Sequence, residues 1–102
     1  MLVYIFACKG SYDGLHGVYV YDEDIVEVRD MEEANEYGYE MAQGVVEYYD
    51  CFNDEDENIE QELEWRIYKI KEGISADEAR AALGSYDEKG FVGKYCEEEV
   101  FN

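Results

Sequence analysis

The sequence predicts an α+β fold, in which a small antiparallel sheet of three to four strands carries two helices packed on one face. Three observations favour this class. Residues 2–8 form a β-branched and aromatic run, whereas from Met31 the apolar residues recur every three or four positions, as in a helix. Residues 74–84 carry the start and stop signals of a second helix. With 102 residues the chain has enough apolar surface for one core, so residues 1–102 are expected to form a single domain.

The N-terminal part is expected to form a hairpin. Residues 2–8 (LVYIFAC) have the composition of a buried strand, and residues 9–14 (KGSYDG) supply glycine and aspartate for a turn. Residues 15–22 (LHGVYVYD) then form the return strand. The acidic residues 22–24 interrupt the pattern, so residues 25–28 (IVEV) are either a third short strand or a continuation of the second after a bulge.

A helix is predicted from Met31 onward. Asp30 is a suitable N-cap, and Glu32 and Glu33 fall in the first turn, where the helix dipole favours anions. Gly38 and Gly44 each weaken such a helix by roughly 1 kcal/mol relative to alanine. The predicted apolar stripe consists of Ala34, Tyr37, Met41, Val45, Tyr48 and Phe52.

The second half begins with an acidic segment, residues 53–62, which has too few apolar residues to pack and is expected to be a loop or a fraying helix end. Residues 63–73 then have the pattern of a strand. One face of this strand carries Leu63, Trp65 and Ile67, while Glu64, Arg66, Lys69 and Lys71 are interpreted as ordinary solvated sheet surface.

The second helix has the clearest local signals in the chain. Ser75 and Glu78 form a capping box, and Gly84 stands where a helix C-cap is expected. The tail, residues 90–102, is either a final edge strand or a loop. Its apolar residues, Phe91, Val92, Tyr95 and Val100, would pack it onto the core in either case.

The charge of the chain is its most unusual property. It has 27 acidic and 8 basic residues and a formal net charge of −19, which costs stability through self-repulsion. Within the first helix no lysine or arginine occurs between Glu32 and Asp50. Glutamates four residues apart lie about 6 Å apart along a helix axis, a spacing of the same order as that of successive phosphates on a nucleic-acid strand. We therefore interpret the row of Glu32, Glu36, Glu40 and Glu47 as a surface that imitates nucleic acid.

Tyrosine is the second residue type in excess, with eleven copies interleaved with carboxylates. Tyrosine is enriched at protein interfaces because its ring gives contact area at low entropic cost. Tyr4, Tyr19, Tyr37 and Tyr48 are expected to fill the core. Tyr39 and Tyr49 lie off the apolar stripe and are predicted to contact a partner, together with the acidic cluster Asp54, Glu55, Asp56 and Glu57.

A calcium-binding EF-hand is not expected. Asp54, Asp56 and Asn58 occupy the spacing of the first three ligand positions. However, Ile59 stands where the loop needs glycine, and Trp65 stands where it needs a bidentate glutamate.

Catalysis, a metal centre and a cofactor are also not expected. Cys8, Cys51, Cys96 and His16 match no zinc-binding spacing, and an odd number of cysteines without a C-x-x-C pair indicates buried thiols in a reducing compartment. No run approaches the roughly 20 apolar residues that cross a bilayer. We therefore expect a cytoplasmic protein. Its negative charge argues against direct binding to nucleic acid or anionic lipid, so its partner is expected to be another protein.

Residues 3–20 (VYIFACKGSYDGLHGVYV) carry a resemblance to a known family. A VYI strand, a turn with glycine and tyrosine, and Gly-x-x-Gly before an aromatic strand resemble the opening of the ArdA-type antirestriction proteins. In its small size, acidity and abundant tyrosine, the chain is similar to the anti-CRISPR and antirestriction proteins of phages and mobile elements. The resemblance implies a DNA mimic that blocks a restriction enzyme or a CRISPR effector in the host cytoplasm.

These observations lead to two hypotheses. The first is a non-enzymatic inhibitor that docks its acidic surface into the basic nucleic-acid-binding cleft of a host defence complex. The alternative is a small adaptor or structural protein of a phage or plasmid, whose acidity serves solubility. The first hypothesis predicts association that is fast and sensitive to salt, whereas the second predicts binding that depends on apolar and tyrosine contacts.

Overall fold

The structure is a computed structural model that describes residues 1–9, 21–50 and 63–101. Along the chain its elements are β1 (Leu2–Lys9), β2 (Tyr21–Glu27), α1 (Met31–Asp50), β3 (Leu63–Ile70), α2 (Ala76–Ala82), α3 (Glu88–Tyr95) and β4 (Cys96–Phe101). The four strands form one antiparallel sheet in the order β2-β1-β3-β4. The predicted α+β class and its antiparallel sheet are therefore confirmed.

Strand β1 is the central strand and is buried on both faces. Every residue from Val3 to Cys8 is at most 4% exposed. Tyr4 faces the layer formed by α2 and α3, where its ring centroid lies 4.5 Å from that of Phe91. Ile5 faces the opposite side, in the cluster that includes Ala34 of α1. The prediction that both helices pack on one face is therefore wrong: α1 covers one face of the sheet, and α2 with α3 covers the other.

Strand β2, as described from Tyr21 to Glu27, includes the acidic residues at which the sequence predicted an interruption. Its pairing with β1 runs without a bulge from Leu2 opposite Glu27 to Cys8 opposite Tyr21. Residues 22–24 thus lie inside the strand, although their acidity indicated an interruption. At an edge position the strand presents one side to solvent, so charged residues are tolerated there. Of the predicted return strand, residues 15–20 lie outside the described residues.

Helix α1 begins as predicted, because the Asp30 carboxylate accepts a hydrogen bond of 2.9 Å from the backbone N–H of Glu33. The buried side of the helix differs from the predicted apolar stripe. Ala34, Gly38, Ala42 and Val45 face the sheet, whereas Tyr37 is 42% exposed. Small residues at four-residue intervals allow the helix to approach the sheet closely. Of the other predicted stripe residues, Met41 is partly buried, the Tyr48 side chain is not described, and Phe52 lies outside the described residues.

Helix α2 confirms Ser75 as its N-cap and Gly84 as its stop signal. The Ser75 hydroxyl accepts from the backbone N–H of Glu78 at 3.1 Å, and Gly84 follows the helix with φ +92°. Helix α3 was not predicted. Asp87 caps it by accepting from the N–H of Gly90 at 2.7 Å, and Phe91 is its buried anchor. After α3 the chain continues into β4, so the edge-strand alternative for the tail is confirmed from Cys96 to Phe101.

Two of the three cysteines can be located. Cys8 and Cys96 are both buried in the core, as expected, while Cys51 lies outside the described residues. Burial raises the pKa of the Cys96 thiol to about 12, because the thiolate would lose its hydration. Cys96 therefore remains protonated at neutral pH. Among the described helices, none has the length and apolar character needed to cross a membrane.

The two glycines of α1 have different roles, although both are interior helix positions. A Cβ built on Gly38 would overlap the Trp65 indole, lying 2.6 Å from Cγ, whereas one on Gly44 meets nothing within 4 Å. Gly38 thus permits Trp65 to pack against the helix backbone, and Gly44 has no such neighbour among the described residues.

We predict that Gly38→Ala lowers the free energy of unfolding by about 1 kcal/mol or more, because the indole has to move. Gly44→Ala should instead raise it by roughly 0.5–1 kcal/mol through helix propensity. Urea unfolding followed by circular dichroism measures both. Equal shifts in the same direction would contradict the proposed packing role of Gly38.

Candidate functional site

The predicted acidic row lies on the outer face of α1. Glu32, Glu36, Glu40 and Glu47 are all exposed. With 3.6 residues per turn, this row lies on the side of the helix away from the small residues that contact the sheet. No packing contact to the sheet explains these acids, so the surface is available to a partner.

The row is not neutralised by cations of the described part of the chain. None of its four carboxylates has a Lys, Arg or His nitrogen within 4 Å there. Glu33, on the same helix, differs: its carboxylate accepts from Arg29 Nε at 2.9 Å. Like charges four residues apart each cost a few tenths of a kcal/mol, so the row destabilises α1 slightly.

An aromatic pair lies beside the row. The rings of Tyr39 and Trp65 meet edge to face, with centroids 5.9 Å apart and an interplanar angle of 82°. The indole N–H donates to Asn35 Oδ1 at 3.1 Å, and Gln43 Nε2 donates to the Tyr39 hydroxyl at 3.2 Å. Tyr39 is nevertheless 43% exposed, which agrees with its predicted position on the surface.

Together these side chains form an open depression of about 650 Å³ between α1 and β3. It is lined by Glu32, Asn35, Glu36, Tyr39, Glu40 and Trp65. The sequence predicted these carboxylates and Tyr39 as contact residues but not Trp65, which belongs to a strand more than 20 positions later. A glycine inside an otherwise regular helix was the available signal, since such a residue often marks a close approach.

Other predicted contact residues cannot be placed at this site. Tyr49 belongs to α1, but its side chain is not described. The cluster from Asp54 to Glu57 lies outside the described residues. These positions therefore stay predictions, and the candidate site consists of the acidic row and the depression beside it.

A second polar cluster lies on the other face of the sheet. Arg66 binds Glu88 of α3 through two hydrogen bonds, both 2.7 Å long, and Glu64 through a third of 2.7 Å. The Tyr68 hydroxyl also donates to Glu88, at 3.1 Å, and the Arg66 guanidinium lies 5.1 Å from the centre of the Phe6 ring. The hydrogen bonds with Glu88 raise the pKa of Arg66. The sequence suggested that Arg66 is an ordinary solvated residue. In the structure it instead connects β3 to α3.

Tyr4 and Glu23 extend this cluster. The Tyr4 hydroxyl donates to Glu23 Oε2 at 3.3 Å. Burial raises the pKa of Tyr4, and the nearby Glu23 carboxylate raises it further. Burial also raises the pKa of Glu23, although the hydrogen bond from Tyr4 opposes this change. Both hydroxyls of the cluster act as donors to carboxylates, so the arrangement links strands and helix and does not activate a nucleophile.

No group of His, Cys, Asp and Glu side chains among the described residues is arranged to hold a metal ion. Comparisons with models of known protein families, with curated proteins and with solved structures found no match. No finding tests the resemblance proposed for residues 3–20, of which the structure describes residues 3–9 as part of β1. The functional argument therefore depends on the surface of α1.

The raised pKa of Glu23 predicts a pH-dependent effect of Glu23→Gln. Between the ordinary glutamate pKa and its higher value in the folded state, the folded protein binds more protons than the unfolded chain, so stability falls as pH rises through this window. Glutamine removes the cost of ionising Glu23 and still accepts from Tyr4. We expect Glu23→Gln to raise the free energy of unfolding more at pH 7 than at about pH 4.

Urea unfolding at the two pH values measures this effect. Glu47→Gln is the matched control, because it removes the same charge from an exposed position on α1. A gain for Glu23→Gln that equals the gain for Glu47→Gln, or that does not change with pH, would refute the assignment of a burial cost to Glu23.

Proposed function

We propose that this protein is a non-enzymatic inhibitor that places the outer face of α1 in the basic nucleic-acid-binding cleft of a partner protein. The observation that carries the proposal is the row of four exposed carboxylates on α1 without a neutralising cation among the described residues. A row of this kind can occupy lysine and arginine sites that otherwise neutralise a phosphate backbone.

The energetics of the row support binding over a role in the fold. Its carboxylates repel one another, and none of them has an ion pair or a hydrogen bond with another described residue. A basic cleft would remove this repulsion on binding, because each carboxylate would then have a positive neighbour. The net charge of −19 adds a long-range field that accelerates association with a basic surface and weakens as salt is added.

The class of partner is supported by the resemblance of residues 3–20 to antirestriction proteins. We propose a nucleic-acid-targeting host defence complex, either a CRISPR effector or a restriction-modification enzyme. Such complexes act in the host cytoplasm, which is where this protein would function. It would bind neither nucleic acid nor membranes itself, since both carry the same sign of charge.

The test is a low-salt capture with the tagged protein from a bacterial lysate, followed by a binding assay with the captured protein. We predict a nucleic-acid-binding partner that is released by added salt and displaced by added DNA or RNA. Reversing Glu36, Glu40 and Glu47 to lysine should weaken binding by at least about a hundredfold, as expected when several charge pairs become repulsive.

The matched control reverses Glu27, Glu72 and Asp77, which are exposed on the side of the sheet away from α1. This control changes the net charge by the same amount and should keep most of the affinity for the captured partner. If the two triple variants bind equally well, the row is not the contact surface. A partner that neither salt nor nucleic acid displaces would instead favour the adaptor function.

A further inference from the structure

We propose that the depression beside Tyr39 and Trp65 receives one arginine side chain of the partner, an inference that rests on the function proposed above. The guanidinium would stack on the aromatic pair and form ion pairs with Glu36 and its neighbours in the row. This assigns a specific anchor to a surface that otherwise attracts cations only by its overall charge.

The Trp65 ring is held in place before any partner binds. Gly38 lets the indole pack against the helix backbone, and Asn35 accepts its N–H at 3.1 Å. The Tyr39 ring stands nearly perpendicular to it, at 82°. A recognition surface that is already ordered loses little side-chain entropy on binding, so this pair is suited to anchor a ligand.

The chemistry of the lining selects a cation. Because Asn35 already accepts the indole N–H, what Trp65 offers a ligand is its π system, and aromatic faces attract positive charge. Glu32, Glu36 and Glu40 add negative charge around the rings. A phosphate or carboxylate ligand would be repelled by the same groups.

Arginine fits this lining better than lysine. Its guanidinium is planar, stacks on aromatic rings and donates several hydrogen bonds in one plane, whereas an ammonium is a strongly hydrated point charge. The chain itself contains such an arrangement on the other face of the sheet. There the Arg66 guanidinium lies 5.1 Å from the Phe6 ring centre and binds Glu88 through two hydrogen bonds. The depression presents the aromatic and carboxylate half of this arrangement without the arginine.

The first experiment uses Trp65 as the reporter, since it is the only tryptophan of the chain. Its fluorescence is followed while the full-length protein is titrated with a capped Gly-Arg-Gly tripeptide. Parallel titrations use the same tripeptide with citrulline, which keeps the shape and loses the charge, or with lysine. We expect saturable binding of the arginine peptide, binding of the citrulline peptide that is at least about tenfold weaker, and intermediate binding of the lysine peptide. Equal affinities for arginine and citrulline would overturn the proposal.

Four single variants locate the binding site. Tyr39→Ala and Glu36→Gln alter the depression, and each should lower the affinity for the arginine peptide by roughly three- to tenfold. Tyr37→Ala and Glu47→Gln are the matched controls, because they change an exposed tyrosine and a row glutamate of the same helix outside the lining. The proposal is overturned if Tyr39→Ala weakens peptide binding no more than Tyr37→Ala does, and Glu36→Gln no more than Glu47→Gln does. Glu36→Gln leaves the ring contacts intact, so the test holds even if Tyr39→Ala disturbs folding.

The two proposals fail in distinguishable ways. If the peptide does not bind but the triple lysine variant still loses the partner, the anchor is wrong and the acidic row remains the contact surface. If the peptide binds in the depression but the triple lysine variant keeps the partner, the proposed function is wrong and the depression remains a cation site.

Discussion

The structure depends on the need to cover β1 on both faces. Val3 to Cys8 are almost fully buried, so each side of this strand requires its own layer. The layer on one side is α1, which approaches through Ala34, Gly38 and Ala42 because larger side chains would hold the helix away from the sheet. The layer on the other side is formed by the short helices α2 and α3, anchored by Ala79 and Phe91. The position of α1 on one face alone determines where its outer row of glutamates points.

The same close approach connects the fold to the candidate site. Gly38 brings the helix backbone against Trp65, and the indole then contacts Tyr39, the next residue of the helix. The aromatic pair is thus a consequence of how α1 packs on β3. Because Trp65 is part of the packing, the rings lie in a fixed place beside the helical turns that carry Glu36 and Glu40.

Local signals predicted much of the fold, and contacts between distant residues account for what was missed. The sequence alone was enough to predict the strand at 2–8, the caps Asp30 and Ser75 and the exposure of the acidic row, because each of these features depends on neighbouring residues. The one-face arrangement was wrong because a short buried strand has the same composition whichever elements cover it. The buried face of α1 was misjudged at Tyr37, since periodicity favours large apolar residues, whereas the close approach requires small ones. Trp65 and Arg66 acquire their roles only when β3 pairs with β1 and packs against α1 and α3.

Two groups of acids in the described part of the chain differ in what they contact. In the first group, each carboxylate accepts a hydrogen bond from an arginine or a helix N-terminus and thereby connects or caps an element of the fold. This group contains Glu88, Glu33, Asp30 and Asp87. Glu36, Glu40 and Glu47 have no such partner among the described residues, and they repel one another. Acids of the first kind stabilise the structure, whereas those of the second kind lower its stability slightly. The fold is therefore complete without the row, so the row can be altered in sign or removed while the sheet, its two layers and the aromatic pair persist. Substitutions in the row therefore test the proposed function while the contacts that stabilise the fold remain in place.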